Sequence, residues 1–200
     1  MRLDRTAHPC KCLKKLRMDR PMQTKRSFII GAAATLATPL VVGAQEAPDR
    51  NSSSFITQDW QDHFSTLGNG AILADITSRA LHYWGADGSY RLYPSSVPMS
   101  EDLTRRGYSQ IVRKRVGPTW TPTQSMRERD PSLPVMMDAG PGNPLGTHAM
   151  YLDWPAYLIH GTHDTRKIGR QSSSGCIGLY NDHIAELFAV VETGTQVRLL

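Results

Sequence analysis

The chain has 200 residues, of which 40% are apolar and 20% charged, so it is long enough to bury the core of one domain. The formal net charge of +5 comes from residues 1–44, which hold nine basic and two acidic side chains, whereas residues 45–200 hold 14 basic and 16 acidic ones. A protein that binds nucleic acid carries its basic charge on the folded part, so we expect no nucleic-acid partner.

The pattern of residues 1–44 is that of an export leader. Lys25 and Arg26 precede an apolar run over residues 28–42, and the small residues Gly43 and Ala44 follow it as a cleavage pattern. The run is about 15 residues long, shorter than the ~20 of a membrane helix, although an uncleaved membrane anchor is the alternative. We therefore predict a signal peptide ending near Ala44, a periplasmic or otherwise exported protein, and no stable membrane span after cleavage.

Two features of this leader stay open. The stretch from Thr24 to Ile29 resembles a twin-arginine signal with lysine in the first arginine position, so the sequence does not choose between the twin-arginine and general secretory routes. Met22 is a second candidate start, because a signal peptide that begins there has an ordinary length.

The three cysteines are divided by the predicted cleavage site. Cys10 and Cys12 lie in the leader, which leaves Cys176 as the only thiol of the mature protein. An unpaired thiol in an exported protein is either reactive or a buried apolar residue, and the count alone does not decide between them.

For the remainder of the chain we predict a linker over residues 45–69 and a catalytic domain over residues 70–200. The first part of the linker is polar, and the folded part begins near residue 59 or residue 70. Short apolar or alternating runs predict strands at Ala71–Ile76, Ala80–Trp84, Tyr90–Tyr93, Gln110–Val116, Val135–Met137, Ala149–Leu152, Tyr157–His160 and Gln196–Leu200. Residues 94–148, rich in Pro, Gly and Thr, predict a long ordered or functional loop.

One helix is predicted near the C-terminus. Asn181 is expected to be its N-cap and Gly194 to end it. Between them an apolar stripe with helical spacing is formed by Ile184, Leu187, Phe188 and Val191.

Two residues have the pattern of a nucleophile and its base. His160 ends an apolar strand and is followed by Gly161, which lets a main-chain carbonyl approach the imidazole and fix its tautomer. Cys176 follows Gly175, and the N–H groups of these two residues are candidate donors to a developing oxyanion. A thiol needs such a base because its usual pKa is about 8.5.

A metal site is the alternative for His160, His163 and Cys176. The spacing of these residues matches no common zinc motif, and no second cysteine follows in the mature chain. We therefore expect neither a metal nor an organic cofactor.

The segment from His160-Gly161-Thr162 to Ser173-Ser174-Gly175-Cys176-Ile177 resembles the signature of the L,D-transpeptidase catalytic domain, the YkuD-type fold of the ErfK, YbiS, YcfS and YnhG group. Residues 117–123 and 140–147 are similar to two further segments of that family, in the same order. The resemblance implies a mainly β fold, a mixed β-sandwich or open barrel with one packed α-helix near the C-terminus.

The resemblance also implies roles for these residues. Cys176 is the nucleophile, His160 the general base and acid, and the carbonyl of Gly161 orients His160. Residues that surround the oxyanion or bind substrate are Gly175, Ser174, Ser173 and Thr162.

The implied reaction acts on peptidoglycan peptide stems. It forms cross-links between third-position diamino acids through a thioester on Cys176. With water as acceptor, the protein would be an L,D-carboxypeptidase. A lysine of an outer-membrane lipoprotein is another possible acceptor. If the protein is not an enzyme, the alternative is a non-catalytic wall-binding module. Since these outcomes depend on the acceptor channel, the sequence does not separate them.

One position departs from the family pattern. Gly178 stands where many relatives carry arginine, a residue thought to hold the loop or a substrate carboxylate. Candidate replacements are Arg166, Lys167 and Arg170, of which at least two are expected to be solvated loop residues. His163 is likewise expected to be a loop residue.

Overall fold

The computed structural model describes residues 56–200. The predictions for the leader, for Cys10 and Cys12, and for the first part of the linker lie outside these residues. Among residues 56–200, no helix is long and apolar enough to cross a bilayer.

The described chain is mainly β. Its ten strands are β1 (Ala71–Asp75), β2 (Ala80–Trp84), β3 (Tyr90–Pro94), β4 (Val97–Pro98), β5 (Gly107–Val116), β6 (His148–Leu152), β7 (Leu158–His160), β8 (Gln171–Ser173), β9 (Ile177–Gly178) and β10 (Gln196–Leu199). Two α-helices, α1 (Gln124–Arg129) and α2 (Asn181–Val190), and three short 3₁₀ turns, Trp60–Asp62, Glu101–Leu103 and Thr165–Lys167, complete it.

Eight strands form one curled, half-barrel sheet in the order β3-β2-β1-β10-β5-β6-β7-β9, and β4 pairs with β8 beside it. The sheet is mixed, since β1 runs parallel to β10 and β7 parallel to β9 whereas the other neighbours are antiparallel. The predicted mainly β, open-barrel architecture with a packed C-terminal helix is confirmed.

The core lies between the sheet and α2. Ile72, Leu81, Ile111 and Met150 are fully buried on the sheet, and Leu187 of the helix packs against them. An apolar side chain gains about 1.5–3 kcal/mol from such burial, so the apolar stripe of α2 holds the helix on the sheet.

A smaller apolar cluster covers the other face of β1 and β2. Phe64 is 5% exposed and lies with Leu73 and Trp84, while Trp60 and Leu67 pack against the cluster. The packed domain therefore begins before residue 70, and the last part of the predicted linker belongs to it.

Most predicted strands form, and the differences have local causes. Val135–Met137 is not a strand: Met137 alone makes an isolated bridge, to Trp120. β5 begins earlier than predicted, and its pairing shifts between Ile111 and Arg113, which explains its imperfect alternation. β4, β8 and β9 have two or three residues each and are too short to leave a periodic pattern.

The predicted N-cap of α2 is wrong by one residue. Tyr180 occupies the cap and makes no side-chain cap bond, whereas Asn181 is the first helical residue. Asn181 Oδ1 instead accepts a hydrogen bond from the N–H of Thr147 at 3.1 Å. This contact ties the start of the helix to the loop before β6.

The long segment before β6 is ordered by one buried amide. Asn143 Nδ2 donates to the carbonyls of Pro118 at 2.9 Å and Asp138 at 3.0 Å, and its Oδ1 accepts from the N–H of Leu145 at 2.8 Å. Because every bond joins a different part of the loop, the segment packs without a core of its own.

Candidate active site

A cleft of about 370 Å³ opens beside β7, β8 and β9. His160 and Cys176 both line it, so the fold brings the two predicted chemical residues together. The other lining residues are Ser96, Met99, Trp120, Met126, Arg129, Asp130, Leu133, Pro144, Leu145, Thr162, Lys167, Ser172, Ser173 and Ser174.

His160 is the last residue of β7, between β6 and β9, and its side chain is half-buried. Its Nδ1 lies 2.5 Å from the carbonyl oxygen of Gly161. A carbonyl only accepts, so Nδ1 carries the proton and Nε2 keeps its lone pair. Burial is the main cause that lowers the pKa of His160 to about 4; the Gly161 carbonyl opposes it, and the charge of Lys167 adds a smaller lowering effect. The imidazole is therefore neutral near neutral pH.

Gly161 has no side chain because there is no space for one. A Cβ at this position would overlap Asn181 Oδ1 and lie 3.1 Å from Cγ2 of Ile184. Its N–H donates to the carbonyl of His148 at 3.0 Å. The peptide that orients His160 is thus fixed by the first turn of α2 and by β6.

Cys176 lies in the short loop between β8 and β9 and is half-buried. Its Sγ donates to the carbonyl of Ala156 at 3.5 Å rather than to His160, and the N–H of Leu158 bonds to the sulfur. Burial raises the pKa of the thiol to about 11, against the smaller opposing effect of Leu158. The resting thiol is therefore protonated at neutral pH.

The loop before the thiol is shaped by its own side chains. Gly175 has φ +129°, a conformation that favours glycine. Its N–H donates to Ser173 Oγ at 3.3 Å, and that hydroxyl donates to the carbonyl of Cys176 at 2.6 Å. Among the described residues no acceptor meets the N–H of Cys176. Of the two predicted oxyanion donors, only this N–H is free.

The two remaining predicted contacts differ in their surroundings. Thr162 is 4% exposed, and its hydroxyl bonds to both the N–H and the carbonyl of Asp164, so it braces the turn after His160. Ser174 Oγ accepts from Arg129 Nη2 at 3.0 Å, which joins α1 to the loop of Cys176. Their roles in substrate binding stay predictions.

The cations near the cleft divide into two groups. Arg166 pairs with Asp164 at 2.8 Å, and Arg170 and His163 are exposed and do not line the cleft. Lys167 does line it. Within residues 56–200, no three His, Cys, Asp or Glu side chains lie together as a metal site.

Several lining residues belong to no motif that is visible in the sequence. The longer ones, Trp120, Met126, Arg129 and Leu133, lie in or beside α1 in the segment that was predicted as a loop. The similarity of residues 117–123 to a family segment covers Trp120 alone. Ser96 leaves no signal, because it is placed beside the cleft by an isolated bridge to Gly178 that no local pattern predicts.

Residues 69–199, which contain all ten strands and the cleft, match the sequence model of the L,D-transpeptidase catalytic domain. The chain belongs to the L,D-transpeptidase family. Its domain is that of an acyltransferase, and the family acts on peptidoglycan peptides. The resemblance carried by the residues around His160 and Cys176 is confirmed.

The relatives of this chain share the family name. A protein of Fuscovulum blasticum named for an L,D-transpeptidase in the ATP synthase subunits region is 59% identical over 172 residues, 84% of this chain and 90% of that protein. The Escherichia coli protein named Probable L,D-transpeptidase ErfK/SrfK is 36% identical over 135 residues, 64% of this chain and 43% of the relative. The chain thus spans less than half the length of this relative.

Solved structures agree in fold. An L,D-transpeptidase from Mycobacterium smegmatis superposes with a TM-score of 0.51 at 20% identity, over 66% of this chain and 58% of that one. A mutant of the Enterococcus faecium L,D-transpeptidase gives a TM-score of 0.52 at 21% identity, over 66% and 50%. The curled sheet is therefore the fold of this family.

Proposed function

We propose that this L,D-transpeptidase cross-links peptidoglycan stems through their third-position diamino acids, with Cys176 as nucleophile. The observation that carries the proposal is the state of His160. Its Nδ1 is committed to the carbonyl of Gly161, so Nε2 is left as a base in a cleft whose single thiol is Cys176.

The first step is acylation of the thiol. Cys176 Sγ attacks the carbonyl carbon of the third residue of the donor stem, and His160 Nε2 takes the thiol proton. The C–N bond to the terminal D-alanine then breaks, and the imidazolium returns its proton to the leaving amine. A thioester on Cys176 remains, and the proton count balances without a cofactor.

Both groups are neutral at rest, so proton transfer accompanies attack. The pKa values of about 4 for His160 and about 11 for Cys176 disfavour a resting thiolate–imidazolium pair. The negative charge then develops only in the transition state, where the free N–H of Cys176 is placed to donate to it.

The second step transfers the acyl group to an acceptor. An amine on the third residue of a neighbouring stem attacks the thioester, His160 accepts its proton, and the thiol is restored. Water gives hydrolysis instead, and a lipoprotein lysine gives attachment of that lipoprotein; both are outcomes that the product analysis separates.

The test is incubation of the mature protein with defined disaccharide tetrapeptides and identification of the products by mass spectrometry. We expect release of D-alanine, a cross-linked dimer, and a transient mass increase on Cys176. Cys176→Ala should abolish all three while keeping the fold. A Cys176→Ala protein that still forms the dimer would contradict the proposal, and binding without turnover by the wild type would favour a wall-binding module.

The reaction places the protein where peptidoglycan is assembled. We propose that residues 1–44 act as a signal peptide and that the mature domain works in the periplasm. Cell fractionation with N-terminal sequencing tests this: we expect the mature protein to begin near Gln45 in the periplasmic fraction. A full-length chain in the cytoplasm would contradict it.

A further inference from the structure

Beside the cleft, a side chain at position 178 would have to displace the hydroxyl of Ser96. Gly178 and Ser96 exchange two main-chain hydrogen bonds, N–O 2.8 and 3.2 Å. A Cβ on Gly178 would overlap Ser96 Oγ, and Ser96 itself is 4% exposed. Any positive charge in the cleft therefore comes from side chains of other elements.

The lining of the cleft holds three residues that are charged at neutral pH: Arg129, Asp130 and Lys167. The guanidinium of Arg129 donates to Ser174. Within residues 56–200, Lys167 has no carboxylate within 4 Å and its ammonium makes no hydrogen bond. It is the cation of the cleft that the described protein leaves without a partner.

The main chain of Lys167 is held firmly although its ammonium is free. It ends the 3₁₀ turn Thr165–Lys167, and its N–H donates to the carbonyl of Asp164 at 3.2 Å. Its carbonyl accepts from Ser172 Oγ and from the N–H of Arg170, both at 3.2 Å. The side chain therefore starts from a fixed point beside β8, close enough to His160 for its charge to act on the imidazole.

The surroundings of Lys167 strengthen its attraction for an anion. Much of the cleft is apolar, including Met99, Trp120, Met126, Leu133 and Leu145. A charge interacts more strongly across such a lining than across water. A half-buried lysine whose ammonium has no protein partner suits a carboxylate that arrives with the substrate.

We propose that Lys167 binds a carboxylate of the donor stem and so sets the specificity of the cleft for acidic stems. The inference rests on the proposed function. A donor stem offers a carboxylate on either side of the scissile bond: that of the terminal D-alanine, and the side-chain carboxylate of a diaminodicarboxylic third residue. Either carboxylate can form the same charge-assisted hydrogen bond with the Lys167 ammonium.

The experiment measures D-alanine release by the mature protein from three donors: the unmodified disaccharide tetrapeptide, the same stem amidated at its terminal carboxylate, and the stem amidated on the third residue. For the unmodified donor, Lys167→Met should raise KM roughly ten-fold with kcat little changed, because a charge-assisted contact common to ground and transition states is lost. With one amidated donor the wild type and Lys167→Met should have equal KM, which identifies the carboxylate. Lys167→Arg should restore most of the affinity.

The matched control is Arg170→Met, which removes a cation from the same loop outside the cleft and should leave KM unchanged. The proposal is overturned if Lys167→Met leaves KM unchanged, if KM rises equally with all three donors, or if kcat falls without rescue by arginine. If the wild type releases no D-alanine, the proposed function itself is overturned. If it releases D-alanine and Lys167→Met behaves in one of the three ways above, only the role of Lys167 is overturned.

Discussion

His160 and Cys176 are held in their neutral forms by the same cause, the partial removal of both side chains from water. Desolvation disfavours a charged imidazolium and a charged thiolate alike, so it lowers one pKa and raises the other. In the proposed mechanism the two residues therefore depend on each other, since neither would form its reactive state without the partner.

The state of His160 predicts that the rate of Cys176 acylation declines, on the acid side of its pH profile, only at unusually low pH. The base form of an imidazole exists above its pKa, and that pKa is lowered from 6.5 to about 4. Acylation of Cys176 by a carbapenem, followed by mass spectrometry, should keep its rate as the pH falls through 6.5 and lose it near 4. A limb centred at 6.5 would contradict the described burial of His160, and His160→Gln should remove the limb altogether.

The crowding around Gly161 predicts that a side chain at this position lowers stability and slows acylation. Gly161→Ala places a methyl group against Asn181 Oδ1, so we expect a loss of about 1–3 kcal/mol in the free energy of unfolding and slower acylation. Gly142→Ala is the matched control, because a Cβ there meets nothing within 4 Å. Denaturation by urea compares the two. Equal stability of both variants would show that Asn181 moves aside at no cost.

At the scale of elements, α1 is a short helix with no buried residue that lies over the cleft. Its N-cap is Thr123, whose Oγ1 accepts from the N–H of Met126 at 3.3 Å. An isolated helix of six residues is not stable in water, so contacts to the rest of the domain hold it in place.

The contact from Arg129 to Ser174 predicts how α1 is held. Arg129→Ala removes that hydrogen bond, so we expect faster hydrogen exchange over residues 124–129 with little change in the exchange of the core. The control is Glu128→Ala, which removes a hydrogen bond within α1, from Gln124 Nε2, but keeps the contact to Ser174; its effect on exchange should be the smaller one. If hydrogen exchange is unchanged in Arg129→Ala, α1 is held in place by Met126 and by the other contacts of the helix instead.

The sequence predicts those elements that are specified by residues close together in the chain. The β1–β2 hairpin, the stripe of α2, and the residues His160 and Cys176 can be read from short patterns or from a motif. The pairing of Ser96 with Gly178, the use of Asn181 as a cross-link and the closure of α1 over the cleft depend on residues far apart in the chain. Periodicity carries no information about such contacts.

For the whole molecule, β10 is the central strand of the sheet. It pairs with β1 on one side and β5 on the other, and Val197 and Leu199 are buried. Deleting residues 196–200 splits the sheet into two parts with unpaired edges, so we expect no folded domain. Circular dichroism and urea denaturation would check this.

Arg198→Met is the control for that deletion. It keeps the strand pairing and removes side-chain contacts to Asp62 and His63, so it should fold with a small loss of stability. A cooperative unfolding transition in the deleted protein would contradict the central role of β10.

The place of β10 also governs when the domain folds as the chain is made. A chain that emerges N-terminus first from a ribosome or a membrane pore presents β1 and β5 long before the strand that joins them. Until β10 follows, the two halves of the sheet have no common partner and β1 and β5 keep open edges. The eight-stranded sheet therefore cannot be completed until β10 has been made.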